Sequence, residues 1–377
     1  MTMTTLTSLD LRAALPRPRQ LLKISPATGA PHWVALRAGL SIGLPLLALW
    51  LTGRLGWSLY AAFGAFASLY GRDTAVTARL RMQLQAGTAL TLAVAAGVAV
   101  GCCADRRWLA VGAAACCAFT GSLAGDRLQW HPVGPLFLVF GLAAVAARPS
   151  TPGQLPVALA VTAGTALAAT VIGTAASTAA SRSGLPRRGP AASPAASPRE
   201  KVTPQAAWQS AQASRHAVAV LLSGTAATAI GIGHPYWAMV AAVAAVTGAD
   251  TAARLTRAVH RMAGTLAGVL IAAALLAPHL PLLAIIAIVA VLQFATELCV
   301  SRNYALAVLF LTPLALLMGT LSQPVSAWSL VHDRAIETIF GVTAGIAVSL
   351  ATHAFAPGSF HTSPAERHSK AAGSPAP

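Results

Sequence analysis

Apolar residues gather into twelve runs along the chain. They lie at 34–53, 57–71, 86–104, 107–124, 132–147 and 155–179, then at 215–233, 236–249, 262–277, 281–299, 303–320 and 334–356. Most approach the roughly 20 residues that an α-helix needs to cross a bilayer. Lipid offers no partners to open backbone groups, so runs of this kind predict helices rather than open strands. The pattern predicts an all-α multi-pass membrane protein of about twelve transmembrane helices. Two runs are short: Trp57 to Tyr70 is 14 residues, about 21 Å of helix against a hydrocarbon core of ~30 Å. Tyr236 to Gly248 is no longer.

The runs fall into two sets of six that repeat in sequence. Gly71-Arg72-Asp73-Thr74 is answered 177 residues later by Gly248-Ala249-Asp250-Thr251, and Gly87-Thr88 by Gly264-Thr265. Arg37-Ala38 opens the first set as Arg215-His216-Ala217 opens the second. Each set has an even number of runs, so the expected repeats are parallel, related by an axis along the membrane normal, and repeats of this size are typical of transporters. The expected segments are a cytoplasmic stretch 1–33, a first repeat 34–180, a linker 181–213, a second repeat 214–356 and a polar tail 357–377. The linker is rich in Pro, Ser and Ala without apolar periodicity. No apolar stretch precedes Val34, so the N-terminus does not read as a signal peptide.

Composition supports the membrane reading. Hydrophobic residues make up 56% of the chain and charged residues 10%, well below the roughly 25% charged of soluble domains; mean hydropathy is +0.66. The net charge of +16 invites a nucleic-acid reading, but its placement opposes it. With twelve spans and an internal N-terminus, 21 of the 26 Lys and Arg fall on the inside, and Arg54, Arg106, Arg107, Arg148 and Arg334 on the outside. Positive charge concentrated on one side marks the cytoplasmic face, so the expected setting is a bacterial plasma membrane with both termini inside. The expected partners are the lipid bilayer and a small organic anion, not nucleic acid, and the oligomeric state is left open. Cys102, Cys103, Cys116, Cys117 and Cys299 all fall in expected spans without metal-site spacing. No cofactor and no metal are implied. No phosphate-binding glycine loop, His-Glu-x-x-His or nucleophile elbow occurs, so an enzyme is not expected.

Chemistry concentrates after each short run. Arg72, Arg79 and Arg81 follow the first, and Arg254, Arg257 and Arg261 the second, at i, i+3 and i+7 of a helix with Asp250 one turn earlier. Guanidinium groups suit carboxylate recognition, because their fork matches carboxylate geometry and stays charged. The bland reading is a solvated face on lipid phosphates. Tyr60, Phe63 and Trp237 on the short runs are candidates to line a path for an aromatic ring, with packing as the alternative. Asp333 and Glu337 open the last run beside Arg334, and ionisable groups inside a span are candidate functional sites by default. Glu337, the deeper, is the candidate coupling residue. Glu297 reads as a structural partner for Arg302.

At these residues the chain resembles a known family. Trp57 to Arg72, followed by Arg79-Leu-Arg81-Met-Gln83 and Ala86-Gly87, is similar to the first half of FUSC proteins, the fusaric-acid-resistance and aromatic-acid-exporter family, in its actinobacterial form. Tyr236-Trp237-Ala, Asp250-Thr251, Arg261-Met-Ala-Gly264-Thr265-Leu-Ala-Gly268 and Arg334-Ala-Ile-Glu337-Thr338-Ile-Phe-Gly341 resemble the integral membrane bound transporter domain. That last motif usually carries Asp where this chain has Glu337, and around Thr162 to Gly164 its first-half counterpart has no carboxylate. The resemblance covers about 34–355 and implies efflux of aromatic carboxylates or related acids driven by the proton gradient. Plant aluminium-activated malate channels look like relatives built as dimers of six-span units, which keeps a passive anion channel as an alternative. A non-transporting membrane scaffold is another. A major-facilitator exporter fits less well, because Arg72-Asp73-Thr74 does not match that family's inner-loop signature.

Overall fold

A computed structural model of the chain describes residues 21, 23–26, 31–72, 74–182, 205–278, 280–322 and 326–353. Asp73, the linker core and the C-terminal tail lie outside the described residues. Among these, every expected run is helical. The first half holds α1 (Pro31–Leu51), α2 (Leu55–Leu69), α3 (Val76–Gly101), α4 (Arg106–Arg127), α5 (Leu136–Ala146) and α6 (Gln154–Arg182). The second holds α7 (Gln205–Ala229), α8 (Tyr236–Val246), α9 (Thr251–Leu276), α10 (Leu282–Val300), α11 (Tyr304–Ser322) and α12 (Ala327–His353). Eight of these are long and apolar enough to cross a membrane.

Both second helices are short, as the pattern predicts. In α2, the α-helical part Ser58–Ala65 is only two turns, flanked by 3-10 turns at Leu55–Trp57 and Phe66–Leu69. Helix α8 has 11 residues, about 16 Å. Helix α5 is equally short: the expected run 132–147 becomes helical only at Leu136, because the break that His131-Pro132-Val133-Gly134-Pro135 makes at its start stays irregular. Two prolines and a Gly134 with φ of 94° leave no helical backbone there. Cys102 and Cys103 lie just past α3 and are exposed, not inside a span.

The two halves use the same neighbours. In the first, α3 packs on α5 and α6, α2 on α6 and α4 on α5; in the second, α9 packs on α11 and α12, α8 on α12 and α10 on α11. Contacts between halves are reciprocal. Helix α4 packs on α7 as α10 packs on α1, and α5 meets α8 as α11 meets α2. Such an exchange is what an axis along the bundle, relating parallel repeats, produces.

Loops gather at two ends. At the linker end, the Gly71 amide donates to the His131 carbonyl, joining the α2–α3 and α4–α5 loops. The N-terminal segment is strapped there to the second half: Asn303 Nδ2 donates to the carbonyls of Leu21 and Lys23 at 3.1 and 3.3 Å, the Ser25 amide donates to the Arg302 carbonyl, and His260 Nε2 lies 3.0 Å from the Leu21 carbonyl. At the opposite, distal end, Arg148 donates to Ser322 Oγ at 2.7 Å, across the halves.

Small residues set the closest helix approaches, as in membrane bundles generally. A methyl group at Gly341 would overlap the Ala238 carbonyl oxygen, and one at Gly345 would press on Ala245, so α12 lies directly on α8. In the first half the same helix pair is closed from the other side, by Gly64 of α2 against Thr162 and Thr165 of α6. Gly164, which matches Gly341 in the sequence repeat, faces open space. Gly341→Val should therefore cost at least the 1–3 kcal/mol of an overpacked core and sharply reduce monodisperse protein after detergent extraction, measured by size-exclusion chromatography. Gly164→Val should leave that yield unchanged.

Candidate functional site

The short α8 lets charged groups from both ends approach one another inside the second half. From the distal end, Arg334 lies seven residues into α12, roughly 10 Å along the helix. It is 1% exposed, so its assignment to an outside loop is corrected: it is a buried helical residue. Its guanidinium lies flat on Trp237 of α8, 3.8 Å from the ring centroid, a cation–π contact. The Arg334 Nε and one terminal nitrogen have no hydrogen-bond partner. Glu337, one turn deeper, is fully buried. Its Oε1 accepts from the backbone N–H of His234 at 2.9 Å, and Oε2 has no partner. Asp333 is half-buried and pairs with His234 Nδ1 at 3.0 Å, with His332 Nδ1 at 3.7 Å.

From the linker end comes the arginine face of α9. Asp250 does not form an ion pair with Arg254; its Oδ1 accepts from the Ala253 N–H at 2.7 Å and caps the helix. Arg254 is buried and donates from Nε to the Gly248 carbonyl at 3.2 Å. Arg257 is half-buried, its guanidinium 4.0 Å from the Tyr304 ring centroid. Arg261, ten residues into α9, is 1% exposed with Nε unpartnered. Arg257, Arg261 and Arg334 all act on Tyr304, and Arg261 and Glu337 are the charges that act on Arg334. The result is a column of half-buried Arg257 and buried Arg261, Arg334 and Glu337, walled by Tyr304 and Trp237. The guanidinium faces of Arg257 and Arg334 lie on rings and several N–H edges of the column have no partner, which suits a planar anion bound edge-on.

Among the described residues the first half shows no column of arginines beside a buried carboxylate. Arg72 makes an ion pair with Glu297 and donates to the Glu297 carbonyl at 3.0 Å, so Glu297 is a structural partner, but of Arg72 across the halves and not of Arg302. Arg79 is buried and donates to the Gly173 carbonyl at 3.4 Å, while Arg81 is exposed. Phe63 is buried in an aromatic pack with Phe66 and Phe140, at ring distances of 5.7 and 5.0 Å. Phe140 continues to Trp237 at 4.6 Å, tying the aromatic core of the first half to the site in the second. Tyr60 is half-buried near the distal end, where it faces Arg148 together with Tyr236. Burial lowers the Arg148 pKa from its ordinary value. Beside Tyr236, a cleft of about 80 Å³ lined by Arg106, Arg107 and Thr228 opens between the halves.

Of the residues that sequence reasoning selected, the structure brings together Arg257, Arg261, Trp237, Glu337 and Asp333. Arg254, bound to the Gly248 carbonyl, and Arg72, Arg79, Arg81, Tyr60 and Phe63 lie elsewhere. Sequence reasoning missed His234 and Tyr304, which precede the short α8 and open α11. An isolated histidine before a proline gives no periodic signal; only the fold brings it beside α12.

Comparison with known proteins bears on the same half. Residues 220–348 match the fusaric acid resistance protein-like family, a span from α7 to α12 that contains the charged column. The uncharacterized membrane protein YvaC of Bacillus subtilis (strain 168) is 36% identical over 107 residues, 28% of this chain and 17% of that protein. The chain thus aligns with about a sixth of that relative's length. No solved structure matches. The resemblance read from the motifs is met in the second half, where residues 220–348 are similar to that family, and the chain is a multi-pass membrane protein.

Proposed function

We propose that the protein is a bacterial plasma-membrane efflux transporter for small organic anions of the aromatic carboxylate kind, driven by the proton gradient. The linker end faces the cytoplasm in this reading, and one site in the second half handles the substrate. The observation that carries it is the pair of buried guanidinium groups, Arg261 and Arg334, each with unpartnered nitrogen, beside a buried carboxylate. Leaving buried cations unpaired is costly. An arrangement that keeps several with one acid is explained by an anion that visits and leaves. Trp237 and Tyr304, already stacked on guanidinium groups, offer flat apolar walls for a ring.

Arg257 and Arg261 would draw the anion from the cytoplasm, Arg334 would hold its carboxylate, and Glu337 would exchange the proton. The test is uptake of labelled benzoate into everted vesicles under an imposed pH gradient. Wild-type vesicles should accumulate benzoate, and Arg257→Glu should reduce the initial rate at least tenfold with unchanged membrane insertion. Flux that follows voltage and ignores the pH gradient would replace the exporter by a passive anion channel. No flux of any organic anion would favour a scaffold.

A further inference from the structure

The Arg334 site poses a problem of its own. Glu337 follows Arg334 by three residues on the same helix, a spacing at which side chains are neighbours. A buried acid and base so placed should close into an ion pair, yet among the described residues no such pair forms. The α7–α8 turn explains why. Its residue His234 engages α12 twice: the imidazole Nδ1 holds Asp333 Oδ2 at 3.0 Å, and the backbone N–H holds Glu337 Oε1 at 2.9 Å. The ring packs edge-on against Tyr236. Gly233 is pressed so closely to Asp333 that a Cβ there would lie 2.6 Å from Oδ2, so the turn sits directly on the carboxylate.

We infer that His234 is a positioning residue: its imidazole pins the α7–α8 turn to Asp333, its backbone N–H thereby draws Glu337 aside, and the Arg334 edge stays open for the substrate anion. This rests on the anion-site reading above. The remaining charged groups near the site are Arg261, which cannot hold Glu337 away by repulsion, and His332, which touches Asp333 from the exposed side. Among the described residues, His234 is the one that hydrogen-bonds to both carboxylates. Without its side chain the turn loses its anchor, Glu337 is free to fall onto Arg334, and the site neutralises itself.

The test uses the full-length purified chain in detergent. For equilibrium binding of labelled benzoate, His234→Ala should raise the Kd about tenfold. Asp333→Asn, which breaks the same anchor from the other side, should weaken binding in the same direction. His234→Asn, whose amide still donates to Asp333, should recover most of the affinity. Combining His234→Ala with Glu337→Gln should also recover it, because a neutral amide cannot neutralise Arg334. A second measurement needs no ligand. The non-additivity of Arg334→Gln and Glu337→Gln in melting temperature should grow at least threefold when His234 is alanine, since the two side chains then meet. If benzoate binds to no form, the anion reading fails and this thermal cycle still decides the role of His234. Overturning results are an unchanged cycle, or a loss of binding in His234→Ala that neither His234→Asn nor Glu337→Gln repairs.

Discussion

Arg334→Met should abolish benzoate flux, lowering the rate more than a hundredfold, and should also reduce the amount of folded protein. The side chain is 1% exposed, stacked on Trp237 and one turn from the buried Glu337. Methionine approximates its stem volume but removes the cation one turn from Glu337, so the buried carboxylate loses much of the positive charge that offsets its burial. The two effects separate in the double variant with Glu337→Gln, which removes the stranded charge. That protein should regain its monodisperse yield and still transport nothing. Arg334→Lys should fold and retain weak flux, because an ammonium keeps the charge but not the fork that matches a carboxylate. If Arg334→Met transports at the wild-type rate, the guanidinium is not part of the substrate site.

Glu337→Gln should remove the dependence of flux on the pH gradient. Glu337 is the one fully buried carboxylate among the described residues, and Oε2 has no partner that would fix its charge state. Glutamine keeps the shape and the bond from His234 but cannot carry a proton in and out. In everted vesicles at fixed voltage, the wild type should respond to an imposed gradient, and Glu337→Gln should run only down the benzoate concentration difference. Asp333→Asn should weaken binding but keep more of the gradient response, since Asp333 is partly exposed and already paired with His234. Gradient-driven transport by Glu337→Gln at the wild-type level would remove Glu337 from energy coupling.

Much of the fold could be read from the chain because lipid enforces a simple rule: each span must satisfy its backbone internally, so apolar length reports helices directly. Hence all twelve runs became helices, and the short α2 and α8 were visible as short runs. The start of α5 was legible as well: apolar residues extend through 132–147, but Pro132, Gly134 and Pro135 mark the stretch whose backbone cannot be helical. The site was legible only in pieces. Arginines at i, i+3 and i+7 identified the α9 face, and the last apolar run pointed to Glu337. The convergence of that face with Arg334 depends on the closeness of α8 to α12, set by Gly341 and Gly345, which is a tertiary fact. Charge counting placed Arg334 outside, since hydropathy cannot distinguish a loop cation from one shielded by a tryptophan ring.

The strap at the linker end bears on how the chain is made. Leu21 and Lys23 leave the ribosome early, yet their partner Asn303 comes 282 and 280 residues later. At roughly 5–20 residues per second, that is a wait of about 15–60 s. Helix α1 waits almost as long for α10, the neighbour it packs against. During synthesis the first helix therefore stands in the membrane with its cross-half contact unmade, held by first-half neighbours alone. A ribosome stalled before α10 should leave a nascent chain whose N-terminal stretch is open to added protease, and synthesis past residue 303 should bring protection. On that outcome, completion of the second half would be the event that closes the first.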